Sequence, residues 1–73
     1  MNTFRIIAAN RGRDGFIDES LPWTTINTGL TAKEANKSLW NLNFTMERVL
    51  ADCEQTGERF HYSTAGLRSL NSY

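Results

Sequence analysis

A lone cysteine and a lone histidine set the first limits on this chain. One cysteine, Cys53, excludes an internal disulfide. One histidine, His61, with no second His or Cys at ligand spacing, argues against a zinc centre. No stretch approaches the roughly 20 apolar residues of a membrane span. The opening Met-Asn-Thr-Phe-Arg has no apolar run of the kind that directs secretion. Charge of one sign is also missing: eight Lys and Arg balance eight Asp and Glu. That balance disfavours both a strong non-specific nucleic-acid binder and an acidic mimic of DNA. A protein-surface binder in a reducing cytoplasm, with no membrane and no cofactor, is the expectation.

Catalytic patterns are absent as well. Asp14, Asp18 and Glu19 cluster, but no Asp-x-Asp-x-Asp-Gly calcium loop is present. Asn10-Arg11-Gly12-Arg13-Asp14-Gly15 lacks Gly-Lys-Ser/Thr and does not lead straight into a helix, so it is not a phosphate loop. His61 has no obvious partner for acid–base work. Cys53 reads as a small buried hydrophobe. The expectation is a protein that is not an enzyme.

What is present is enough apolar material for one folded domain. Hydrophobic residues make up 40% of the 73-residue chain, with four Phe, two Trp and two Tyr. Residues 1–66 are expected to form the domain and 67–73 a short tail. Thr3 to Ala9 alternates as a strand, with Phe4 and Ile6 on one face and Arg5 and Ile7 on the other. Asn10 to Gly15 carries turn signals, since Asn, Asp and Gly tolerate positive φ. Trp23 to Thr28 is β-branched and predicts a strand with Trp23 or Ile26 inward. Arg59 to Thr64 predicts a last strand, with Phe60 and Tyr62 opposite Arg59 and His61.

A long amphipathic signal runs from Thr31 to Gly57. Ala32, Ala35, Leu39, Leu42, Met46, Val49 and Cys53 recur at steps of three and four, the spacing of one helix face. Thr31 followed by Glu34 is a capping box, and Gly57 suits the position just past a helix end. Within that helix Glu47, Asp52 and Glu54, with Glu58 just beyond Gly57, lie toward the C-terminal end. The dipole opposes them there, which suggests an acidic contact surface. The fold expected is α+β, one helix on an antiparallel sheet of about three strands in the order β-β-α-β.

Candidate binding residues follow from the faces. At about 100° per residue, Trp40 and Phe44 point away from the apolar stripe and form an aromatic anchor of the kind that enters grooves. The competing reading has the segment from Arg11 to Gly29 fold over them, with Trp23 as the lid. Arg11 and Arg13 with Arg5 make a basic patch that Arg59 and Arg68 enlarge if the first and last strands pair. Phe16 lies beside it. Arg5, Arg11, Arg13, Phe16, Trp40 and Phe44 are therefore the expected protein-binding residues.

The length and the beginning, Met-Asn-Thr-Phe-Arg-Ile-Ile-Ala-Ala-Asn, resemble the small RNA-polymerase-binding transcription regulators of lytic Xanthomonas phages. The likeness spans the whole chain and contains no short diagnostic motif. It implies a protein that binds the β′ subunit of host RNA polymerase near its N-terminus, beside the RNA exit channel. It also implies inhibition of initiation at host promoters and suppression of termination, in the host bacterial cytoplasm. The β subunit, the elongation factor NusA and nascent RNA are the further partners it brings in, with the regulator itself a monomer. Two other classes stay open: an anti-defence inhibitor of the anti-CRISPR kind, and a small RNA- or DNA-binding module.

Overall fold

Alternation along Phe4–Ala8 gives β1, and this strand organises the rest. A computed structural model describes residues 2–42 and 48–70. After β1 come β2 (Asn10–Arg11), β3 (Ile17–Asp18), β4 (Thr24–Leu30), α1 (Ala32–Leu42), β5 (Val49–Cys53), β6 (Arg59–His61) and β7 (Arg68–Ser69). The fold is α+β, as expected, with more strands than anticipated. One sheet has five strands in the order β4-β1-β5-β6-β7, and β2 with β3 makes a separate two-stranded hairpin. All pairings are antiparallel. The strands β4 and β5 flank β1 and run parallel to each other, so α1 is the crossover that joins them.

The helix begins where its capping box places it. Thr31 N–H donates to Glu34 Oε1 at 3.0 Å, and Glu34 N–H donates to Thr31 Oγ1 at 3.2 Å. Ala35 and Leu39 turn inward, at 0% and 1% exposure. The expected extension to Gly57 is not found. Val49–Cys53, the end of the presumed helical stripe, is a strand at the centre of the sheet. A short apolar run fits a helix face and a strand buried on both sides equally well, and periodicity cannot separate them. Here both faces are buried: Ala51 and Cys53 face α1, while Leu50 and Asp52 face the other way. Phe44, Met46 and Glu47 lie outside the described residues.

Gly57 does have the positive φ expected of it, at 76°, but it closes a hairpin and not a helix. Cys53 N–H donates to Glu58 O, and Gly57 N–H donates to Cys53 O, both at 2.8 Å. Of the two residues offered as inward-facing, Trp23 is half-buried, while Ile26 is 39% exposed. Two register shifts in the β1–β4 pairing, between Phe4 and Ile6 and between Ile6 and Ile7, break the alternation that would have turned it inward. The presumed tail contributes β7, which pairs with β6 through Phe60 opposite Ser69 and His61 opposite Arg68.

The main core lies between α1 and the sheet. Phe4, Ile6, Ala35, Leu39, Ala51 and Cys53 form it, flanked by Leu30, Leu42, Val49, Phe60, Tyr62 and Leu67. Phe4 and Phe60 meet edge-on with centroids 5.5 Å apart, a favoured aromatic geometry. Among the described residues no helix lies on the opposite face of the sheet.

Candidate functional site

Register determines which side chains share that helix-free face. Arg5 pairs across strands with Asp52, and Asp52 pairs with Arg59. Directly opposed residues lie on one side of a sheet, so the three form a row across β1, β5 and β6. Leu70 N–H donates to Arg59 O at 3.1 Å, which carries the row to the end of β7. The next row runs from Ile7 through Leu50 and His61 to Arg68. Arg48 precedes Leu50 by two residues and belongs to the same side.

The row is tied by charge. Arg5 Nε donates to Asp52 Oδ2 at 2.7 Å, with the aspartate side chain 7% exposed and the arginine side chain 47% exposed. Arg59 places its guanidinium carbon 4.9 Å from the centroid of the Trp23 ring, within cation–π range. Trp23 Nε1 donates to Glu19 O at 3.1 Å, and Arg48 Nε donates to Glu19 Oε1 at 3.2 Å. The segment from Glu19 to Trp23 is therefore anchored at both ends on this face. Ile7 and Leu50, on the same side of the sheet, are both buried.

Trp23 is thus a lid, but over the face opposite to the one expected. Trp40 is instead flanked by Tyr62, with centroids 5.1 Å apart and planes at 33°. It retains 46% exposure on α1. Lys33 and Lys37 sit seven and three positions before Trp40, on the same stripe of the helix. Asn36, next to that stripe, exchanges hydrogen bonds with the Ser63 backbone at 3.0 and 3.2 Å, which fixes the chain beyond β6 against α1.

The β2–β3 hairpin gathers Arg11, Arg13 and Phe16. The Arg11 guanidinium donates to Gly15 O across the turn. Phe16 N–H donates to Asp14 Oδ1 at 3.1 Å, and the residue is 73% exposed. Asp18 Oδ1 accepts from the Ser20 hydroxyl and backbone N–H, which lowers the Asp18 carboxyl from its ordinary value.

The expected binding residues therefore occupy three separate places. Arg11, Arg13 and Phe16 are together at the hairpin. Arg5 lies apart from them, midway along the helix-free face. Trp40 lies on the helix side of the sheet, and Phe44 is outside the described residues. The first strand, β1, does not pair with β6 or β7; β5 stands between β1 and β6, and β7 lies beyond β6. Arg5, Arg59 and Arg68 nonetheless share one face because β5 keeps them in register.

The expected acidic surface does not form at a helix end. Asp52 is buried in β5, Glu54 Oε1 accepts the Gly29 N–H at 3.0 Å, and Glu58 Oε2 accepts from Ser69 Oγ at 2.6 Å. Cys53 is free and buried, and the Thr56 hydroxyl beside it lowers its thiol from the ordinary value. From the sequence Arg48 is not singled out, Asp52 falls in an acidic surface at a helix end, and Glu19 falls in a cluster with Asp14 and Asp18 rather than beside these arginines. The alternation of Arg59 with Phe60 and of Arg5 with Phe4 was the signal available, and it gave the faces without their neighbours.

Among the described residues no group of three or more His, Cys, Asp or Glu is placed to hold a metal ion. No helix among them is long and apolar enough to cross a membrane. Comparison with known proteins finds no family model, no curated protein and no solved structure that this chain matches.

Proposed function

We propose that this protein is a non-catalytic regulator that binds bacterial RNA polymerase. In this reading it docks on the N-terminal region of β′ beside the RNA exit channel, with the β subunit and NusA nearby. It inhibits initiation at host promoters and suppresses termination. What supports the reading is the resemblance at Met-Asn-Thr-Phe-Arg-Ile-Ile-Ala-Ala-Asn together with one structural observation. Arginines line a helix-free sheet face, with Asp52 and Glu19 as their paired carboxylates. Arginine is enriched among residues that dominate protein interfaces.

The mechanism needs no chemistry. Initiation depends on σ holding the core enzyme in one arrangement, and a ligand that prefers another by a few kcal/mol shifts that equilibrium. Termination depends on a hairpin forming at the exit channel, and a wedge docked there opposes it sterically.

The test uses purified RNA polymerase core and holoenzyme. Co-elution with the core, loss of σ-dependent run-off transcript and read-through at an intrinsic terminator are the expected results. Absence of a complex with either form of the enzyme overturns the reading and favours an anti-defence inhibitor.

A further inference from the structure

We propose that the β6–β7 end of the helix-free face is a docking surface for an extended acidic protein segment, its alternate carboxylates held by Arg59 and Arg68. This deepens the regulator reading by naming the chemistry of the partner segment, and it rests on that reading.

Charge is the first argument. Arg5, Arg48, Arg59 and Arg68 share the face with Asp52 and Glu19, so it is net positive although the whole chain is neutral. The compensation is uneven. Asp52 is hydrogen-bonded to Arg5, and Glu19 to Arg48. Arg59 rests on Trp23, and no hydrogen-bond or ion-pair partner for the Arg68 guanidinium is found among the described residues. The excess charge therefore lies on β6 and β7.

Spacing is the second. Arg59 lies opposite Leu70 and Arg68 opposite His61, so the two arginines are diagonal neighbours. Diagonal neighbours in an antiparallel pair are about 7–8 Å apart. In an extended peptide, residues two apart on one face are about 6.6–6.8 Å apart. A segment with acidic residues at alternate positions thus presents its carboxylates in step with the two guanidiniums. Leu70, 39% exposed in the same row as Arg59, offers an apolar contact beside them. A guanidinium stacked on a ring keeps its in-plane N–H donors for a carboxylate fork.

The same features disfavour single-stranded nucleic acid. Base stacking needs an open aromatic face. Trp23 is already covered by Arg59, and His61 is half-buried with Nδ1 3.1 Å from the Tyr62 carbonyl oxygen. Overall neutrality gives no long-range attraction to a polyphosphate.

The experiment titrates the isolated protein with a Glu-Ser alternating peptide and follows backbone amides and both indole N–H signals by NMR. Shifts confined to Arg59, His61, Arg68, Leu70 and the Trp23 indole are expected. Arg68→Glu should weaken binding about tenfold or more, as loss of an interface anchor does. Its thermal midpoint should be unchanged, because Arg68 is exposed on an edge strand. A peptide of the same composition with its glutamates adjacent should bind more weakly. The proposal is overturned by equal binding of the two peptides, by indifference to Arg68→Glu, or by shifts centred on Trp40. It is also overturned if oligo-uridine binds the face and the peptide does not. No polymerase enters this titration, so its failure is distinct from failure of the regulator reading.

Discussion

Arg5 and Asp52, far apart in sequence, meet across β1 and β5 with Nε 2.7 Å from Oδ2. The carboxylate is buried and the arginine half-exposed, so the pair is asymmetric. Removing the arginine strands a buried charge, whereas removing both polar partners does not. Arg5→Met should therefore cost about 1–3 kcal/mol, and adding Asp52→Leu to it should restore much of that loss. Asp52→Asn should cost less than Arg5→Met, since its amide oxygen still accepts from Arg5. Thermal unfolding of the single and double variants measures the coupling. Additive losses would show that the pair is not a unit.

Trp23 and Trp40 should report opposite sides of the sheet. Trp23 is half-buried under Arg59 on the side of Leu50, while Trp40 rests on Tyr62 beside solvent. A fully buried Trp→Ala change costs about 3–5 kcal/mol. Trp23→Ala should cost about 2 kcal/mol and Trp40→Ala clearly less. Fluorescence of each single-tryptophan protein should show bluer emission from Trp23. Equal losses and equal emission would mean that the lid on the side of Leu50 is misplaced.

How far these relations could be read in advance depended on their range in sequence. Thr31 and Glu34 are three residues apart, and their capping box is where it was expected. Parity within a strand was also legible, so Arg5 fell opposite Phe4 and Ile6, and Arg59 opposite Phe60. The helix end was not legible. Val49 and Cys53 kept the helical spacing while belonging to a strand buried on both sides, which erases the alternation that marks a strand. Read as helix, that strand makes Asp52 an unfavourable charge at a helix end. Its actual partner is in β1. The lid failed for a related reason: the anchors of Trp23, at Glu19 and Arg59, lie on both sides of it in sequence, and no local pattern links them. The three-place separation of Arg5, Arg11 with Arg13, and Trp40 depends on sheet order, which composition does not encode.

Gly57 tests the corrected hairpin. Its φ of 76° is in the left-handed region. A Cβ there would meet nothing within 4 Å, so a substitution carries conformational strain alone. Gly57→Ala should destabilise by roughly 1–2 kcal/mol, and Gly57→Asn by less, because Asn tolerates this region. Chemical denaturation compares them. A neutral Gly57→Ala would mean that the β5–β6 turn takes another conformation.

Glu34 makes the start of α1 sensitive to acid. Its carboxylate accepts the Thr31 N–H, and that backbone bond, followed by the Thr31 side chain, lowers its pKa from the ordinary 4.5. A carboxyl that is more acidic folded than unfolded stabilises the fold above its unfolded value. That contribution is complete above 4.5 and fades as pH falls through the lower folded value. Glu34→Gln keeps an oxygen for the Thr31 N–H and removes the titration. It also removes the favourable charge at the helix N-terminus. The variant should therefore be less stable than the parent at neutral pH and converge with it in acid. Asp18, lowered by its bonds to Ser20, stays in both proteins, so some acid sensitivity persists in the variant. Thermal midpoints measured from neutral pH into the acid range decide the matter. A gap between the two proteins that stays constant with pH would show that Glu34 acts by geometry and not by charge.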